Sequence, residues 1–220
     1  MSRMKSIFRW LLSNAALATV AFLSAGRTDL PMVRAYLGTF AAISLGAASI
    51  VDPELLRERS NPGDIGLDPF SGKGISILFL STVAIAALDM GRFHWTRDIT
   101  FPTQVTALAF VALFMCHQVW AMAVNPFFSS VIRLQRDRGH HLITRGPYRF
   151  VRHPGYSTML FNTPAMAIAL GSTFALVPAL LCSLVILRRT IHEDRFLRDE
   201  IAGDARYMLM VRFRLFPGLW

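Results

Sequence analysis

The stretch "RGPYRFVRHPGY", residues 145–156, holds three arginines, one histidine, two prolines and two tyrosines within twelve positions. A residue that precedes proline is kept out of the helical region, and proline itself suits the first turn of a helix. The motif therefore predicts an extended or turn conformation at His153, leading into a helix that has Pro154 in its first turn. Free N–H groups at that helix start, next to Arg152 and His153, would attract an anionic group. An arginine at a membrane boundary can also do no more than snorkel to headgroups. That role is assigned to Arg149, whereas the cluster as a whole predicts a ligand held by His153.

A second group of chemistry-bearing residues lies about 40 positions on, where His192, Glu193 and Asp194 follow an apolar run. Carboxylates at the end of a membrane segment call for a partner. Arg188, Arg189 and Arg195 are near enough to serve as plain ion-pair partners. Alternatively, Glu193 accepts hydrogen bonds from a ribose diol or balances a cationic ligand, with Asp194 as a surface residue of lesser effect. If the intervening segment doubles back, Arg152 and His153 meet Glu193 in one pocket. Metal chemistry is not expected: a di-iron hydroxylase needs several histidine boxes, and the His140–His141 pair with isolated His153 and His192 does not supply them. No G-x-G-x-x-G after a strand, phosphate-loop lysine motif or G-x-S-x-G is present, so Rossmann cofactor, nucleotidase and serine-hydrolase readings have no support.

The elements that must position these groups are apolar helices. The chain of 220 residues is 53% hydrophobic, with a mean hydropathy of +0.42. Runs at residues 10–25, 35–51, 74–90 and 103–124 each approach the roughly 20 residues that cross a bilayer. Residues 156–189 carry no charge before Arg188 and are too long for one span, so a break near Gly171 and Ser172 predicts a tight helical hairpin. Six spans follow, or five if the hairpin is re-entrant. With the N-terminus inside, 19 of the 23 basic residues fall on the inner side and four outside, which predicts cytoplasmic termini. The first run resembles a secretory signal but is read as retained. A net charge of +9 sits in loops beside spans, where anionic lipid is the ordinary partner; nucleic acid is not expected. Cys116 and Cys182 lie within spans and offer no disulfide framework. The proline- and glycine-rich segment 52–74 predicts an irregular connector, or an entry element.

"GPYRFVRHPGY" before an apolar hairpin, then "HEDRFL" and the ending "RYMLMVRFRLFPGLW", resembles the isoprenylcysteine carboxyl methyltransferase family and related phospholipid methyltransferases. "PELLRERS" and "LDMGRFHW" resemble bacterial members, and the likeness extends over residues 50–220. The resemblance implies an integral membrane enzyme that binds S-adenosylmethionine among its C-terminal helices and methylates a lipophilic acceptor. It implies a cofactor site lined by His141, Leu142, Ile143, Gly146, Pro147, Tyr148, His153, Pro154, Tyr156 and Glu193. Arg152, Glu193 and Arg212 are the implied catalytic positions. Two positions differ from the family pattern: Thr158 stands where glycine is usual, and Asp194 replaces a second glutamate.

The expectation is an all-α integral membrane protein of five to six transmembrane helices, with a C-terminal helical hairpin and a cytoplasmic cofactor pocket. Residues 1–124 would be a four-span scaffold and 125–220 the catalytic region, in a bacterial inner membrane, with the number of subunits left open. A carboxylate acceptor would need only an arginine to orient it. An amine or hydroxyl would also need a base, for which His153 and Glu193 are candidates. The alternatives are a nicotinamide-dependent membrane reductase of the sterol reductase type, which carries a related Arg-His-Pro-x-Tyr segment, and a non-catalytic membrane module.

Overall fold

The computed structural model describes residues 3–62, 68–201 and 204–220. Eight α-helices account for most of them: α1 (Arg3–Ala25), α2 (Pro31–Ile50), α3 (Pro53–Ser60), α4 (Pro69–Leu88), α5 (Phe101–Val124), α6 (Pro154–Ala169), α7 (Leu176–Glu200) and α8 (Asp204–Met210). No strand occurs among the described residues. Prolines start α2, α3, α4 and α6, positions where a missing N–H removes no helical bond.

This proline usage corrects the expectation for residues 52–74. Asp52 accepts a hydrogen bond from Glu54 N and opens α3, and Asp68 accepts from Ser71 N and opens α4. Pro53 and Pro69 therefore begin helices rather than interrupt them. Gly63 and Gly66 of that segment lie outside the described residues.

Four helical stretches are long and apolar enough to cross a membrane: Ile7–Ala25, Pro31–Ile50, Phe70–Phe93 and Phe101–Val124. Their outward faces are apolar, with Leu12, Ile77, Phe110 and Leu113 exposed, as expected where lipid replaces water. Buried alanines, among them Ala21, Ala86, Ala107, Ala167 and Ala179, let the backbones approach closely.

The hairpin forms where residues 171 and 172 predicted it. Gly171 has φ +87°; Gly171 N donates to Ile168 O and Ser172 N to Ala167 O, a left-handed helix end that favours glycine. The 16 residues of α6 make a rod of about 24 Å. Its turn still reaches the end of α4, where Ser172 Oγ donates to Asp89 Oδ2 over 2.6 Å. The end of α1 lies there too: Arg92 donates to the Ser24 and Leu23 carbonyls. At the other end of the bundle, α3, the 125–153 segment, the start of α6, the end of α7 and the C-terminal tail converge.

Candidate functional site

Pro154 starts α6 and leaves Arg152 and His153 outside the helix, beside the C-terminal tail: Arg152 N donates to Phe213 O and His153 N to Arg214 O. Their side chains turn towards α7. Arg152 Nε and Nη2 donate to Asp194 at 2.8 and 3.1 Å, and Arg152 Nη1 donates to the Val211 and Arg212 carbonyls, both at 2.8 Å. His153 Nε2 lies 2.9 Å from Asp194 Oδ1, and Arg214 Nε donates to Oδ2 over 2.7 Å. Burial by itself would raise the Asp194 carboxyl, but donors from His153, Arg152 and Arg214 hold it well below the usual carboxylate range.

Asp194 is only 3% exposed, which corrects its expected role as a surface residue. The physical reason is helical register: successive residues on α7 point about 100° apart, so Glu193 and Asp194 face different surroundings. Glu193 faces the neighbouring cavity, where Tyr156 Oη donates to its Oε2.

That cavity, about 290 Å³, is lined by the polar residues Arg59, Ser130, Tyr156, Arg189 and Glu193 and by the apolar residues Ile75, Phe128, Val131, Met159 and Leu197, among others. Arg189 Nε donates to Tyr156 Oη over 2.7 Å and Nη2 to Ser130 O over 2.8 Å. Its remaining nitrogen, Nη1, is buried and has no hydrogen-bond partner among the described residues. The other two such atoms, Tyr36 Oη and Asn162 Oδ1, belong to neutral side chains. A buried unpaired donor on a charged group is the costlier deficit. It belongs to a residue that lines the cavity.

A smaller adjoining cavity of about 50 Å³ is lined by His141, Leu142, Ile143, Tyr148 and Asp194, among others. Tyr148 is fixed from both sides: Asn125 Nδ2 donates to its hydroxyl over 2.9 Å and the Tyr207 hydroxyl donates to its carbonyl. His140 stacks on Phe127 at 4.4 Å, and burial pushes its imidazole down to about 4.

The sequence-derived positions thus divide. His153, Tyr148, Tyr156, Glu193 and Arg152 line the larger cavity, and His141, Leu142 and Ile143 the smaller. Gly146, Pro147 and Pro154 line neither. They shape the backbone instead, Gly146 at φ +60° with no room for a Cβ against Val124, Pro147 within a short 3-10 turn, and Pro154 at the start of α6. Arg212 presents only its carbonyl to the cluster and its side chain is exposed; the nearby Arg214 pairs with Asp194 and lines neither cavity. Thr158 is buried and donates to Gly155 O.

Four contributors were missed by sequence reasoning: Arg189, Arg59, Phe128 and Gly155. For Arg189 a signal existed, since it lies one helical turn before Glu193 and so shares its face. Gly155 had none, because its need is tertiary: a Cβ there would lie 2.3 Å from the Phe128 ring. Among the described residues there is no group of three His, Cys, Asp or Glu side chains able to hold a metal.

Residues 105–199 match the model of the isoprenylcysteine carboxyl methyltransferase family. Two rice proteins, from Oryza sativa subsp. indica and subsp. japonica and each named "Probable protein-S-isoprenylcysteine O-methyltransferase", are similar to this chain. Each is 28% identical over 134 residues, covering 57% of this chain and 68% of the relative. These matches favour methyl transfer over the reductase alternative. The matched stretch runs from within the last long span through the hairpin's returning helix, so these are the elements in which the chain resembles isoprenylcysteine carboxyl methyltransferases.

Proposed function

We propose that this protein transfers the methyl group of S-adenosylmethionine to the carboxylate of a lipophilic acceptor, an isoprenylcysteine or a closely similar prenylated acid. The supporting observation is Arg189 Nη1, a buried charged donor lacking a partner among the described residues, beside a cavity whose lining includes Ile75, Val131, Met159 and Leu197. Such a donor suits a carboxylate, and such apolar residues suit an acyl or prenyl chain.

A carboxylate acceptor also asks nothing of the candidate bases His153 and Glu193, which lie against Asp194 and Tyr156. A carboxylate has no proton to lose. S-adenosylmethionine, when bound, supplies an electrophilic methyl on a sulfonium centre; the attacking carboxylate oxygen gains the methyl, the carbon–sulfur electrons stay with sulfur, and the opposite charges cancel. The chain's work is then orientation and exclusion of water. Holding two reactants in line supplies up to ~7–11 kcal/mol of barrier reduction. His141, Leu142, Ile143, Tyr148, His153, Tyr156 and Glu193 are the residues proposed to hold the cofactor, with Gly146, Pro147 and Pro154 shaping the backbone around it. Of the implied catalytic positions, Arg152 organises the Asp194 cluster, Glu193 orients Tyr156, and Arg212 acts through its carbonyl.

The site is proposed to face the cytoplasm of a bacterial inner membrane, with both termini on that side as the basic residues suggest. Residues 1–124 serve as scaffold and 125–220 as catalytic region, with Ile75 and Arg59 of the scaffold completing the cavity wall. Calorimetry on the detergent-solubilised chain tests the cofactor: saturable binding of S-adenosylmethionine and not of NADPH is expected. Methyl transfer to N-acetyl-S-farnesylcysteine, measured as base-labile methyl ester, tests the acceptor. Binding of NADPH alone would restore the reductase reading, and binding of neither the non-catalytic one.

A further inference from the structure

Four arginines line the larger cavity: Arg59, Arg133, Arg152 and Arg189. Two are neutralised. Arg133 makes a two-point ion pair with Glu58, at 2.8 and 2.9 Å, and Arg152 makes one with Asp194. Among the described residues neither Arg59 nor Arg189 is paired with a carboxylate. Glu193, the carboxylate that shares the wall with them, accepts from Tyr156.

Arg59 comes from α3, which precedes the family-matched stretch and docks on the 128–138 segment. Glu58 holds Arg133 and accepts from Ser129 Oγ, while Glu54 accepts from Arg138 Nε over 3.0 Å. Arg59 Nη1 donates to Phe128 O over 3.0 Å and its guanidinium lies 5.2 Å from the Phe128 ring centre. Ser130 joins the two unpaired arginines, since its carbonyl accepts from Arg189 and its hydroxyl donates to Arg59 O. Two like charges are therefore held at one wall, where the nearby carboxylate Glu193 is engaged by Tyr156 rather than by an ion pair with either. Burial pushes the Arg59 guanidinium below its ordinary value, and the charge of Arg189 adds to this.

We propose that Arg59 is a specificity-determining residue of the acceptor site, which α3 brings over the cavity so that Arg59 and Arg189 together grip the acceptor's carboxylate. This rests on the acceptor reading above. A carboxylate offers about four lone-pair positions on two oxygens, so two guanidinium groups hold it and leave lone pairs for the reaction. The ion pairs of Glu58 and Glu54 are the strap that fixes α3 and hence Arg59.

The test is equilibrium binding of N-acetyl-S-farnesylcysteine and of its carboxamide to the full chain in detergent, saturated with S-adenosylhomocysteine. The unmodified protein should prefer the acid. Arg59→Ala should weaken binding of the acid roughly ten- to hundredfold and leave the affinities for the carboxamide and for S-adenosylhomocysteine unchanged, with Arg59→Lys between the two. Equal weakening of acid and amide, retention of the full preference in Arg59→Ala, or a loss of S-adenosylhomocysteine binding would each overturn the assignment, the last also covering a variant that does not fold. If the unmodified protein shows no preference for the acid, the carboxylate-acceptor reading itself falls, and this inference with it.

Discussion

Two buried carboxylates at opposite ends of the bundle are stabilised in different ways. Asp89, fully buried in a π-helical turn, accepts from Thr96 N, Thr96 Oγ1 and Ser172 Oγ at 2.9, 2.6 and 2.6 Å. Asp194 is met by two guanidinium groups and an imidazole. Neutral dipoles at Asp89 tie the end of α4 to the hairpin turn, and every acceptor has its donor. At the Asp194 end the charges are paired too, but one turn of α7 away Arg189 keeps a donor unused. Complete satisfaction suits an element that holds the fold, and the unfilled charged donor is the place where we propose a ligand.

The largest expected effect comes from removing the cationic cluster's centre. Asp194→Ala leaves Arg152 and Arg214 without their counter-charge, and breaking a buried pair in this way costs about 3–5 kcal/mol. The variant should lose both thermal stability and activity; an unchanged melting temperature would mean that the cluster is solvated and the comparison fails.

Arg189→Gln should separate site from scaffold. It removes the charge at the cavity, so methyl transfer should fall roughly ten- to hundredfold through a raised KM for the acceptor, with retained S-adenosylhomocysteine binding. A drop in stability with an unchanged acceptor KM would make Arg189 structural, as Asp89 is.

Asp89→Asn sharpens the other side of the comparison. The amide cannot accept from all three donors, which should destabilise the protein by about 1–3 kcal/mol while kcat and KM at a permissive temperature stay as they were. An altered KM would show that the far end communicates with the site.

The smallest effect is that of pH. His140, held down to about 4 against an ordinary 6.5, is neutral when folded, so the unfolded chain binds the extra proton between those values. Its contribution is present above about 6.5 and is lost as pH falls towards 4. The depressed Asp194 acts lower: its contribution is present above the ordinary 3.8 and is lost only as pH falls further. His140→Gln should flatten the denaturation midpoint between pH 6.5 and 4 without touching the more acidic limb. A profile that stays steep in the variant would place the titrating group elsewhere.

The legible part of this protein was local. Runs of apolar residues predicted the long helices, Gly171 predicted the hairpin turn, and Pro154 predicted the start of α6 with a non-helical His153, because each depends on neighbours within a few positions. Prolines 53 and 69 misled, since the same ring that interrupts a helix interior is well placed at its first turn, and only the caps at Asp52 and Asp68 tell the cases apart. Charge pairing was decided by the tertiary structure. Whether Glu193 or Asp194 meets the arginines depends on the rotation of α7 against α6 and the C-terminal tail. Arg214 rather than Arg212 reaches Asp194 because of how that tail lies against Arg152. Arg59 enters the cavity through ion pairs that join α3 to residues more than seventy positions away. Composition placed arginines near the membrane in abundance; which of them is left without a counter-charge follows only from folding, because a pair forms between groups that the chain brings together in space.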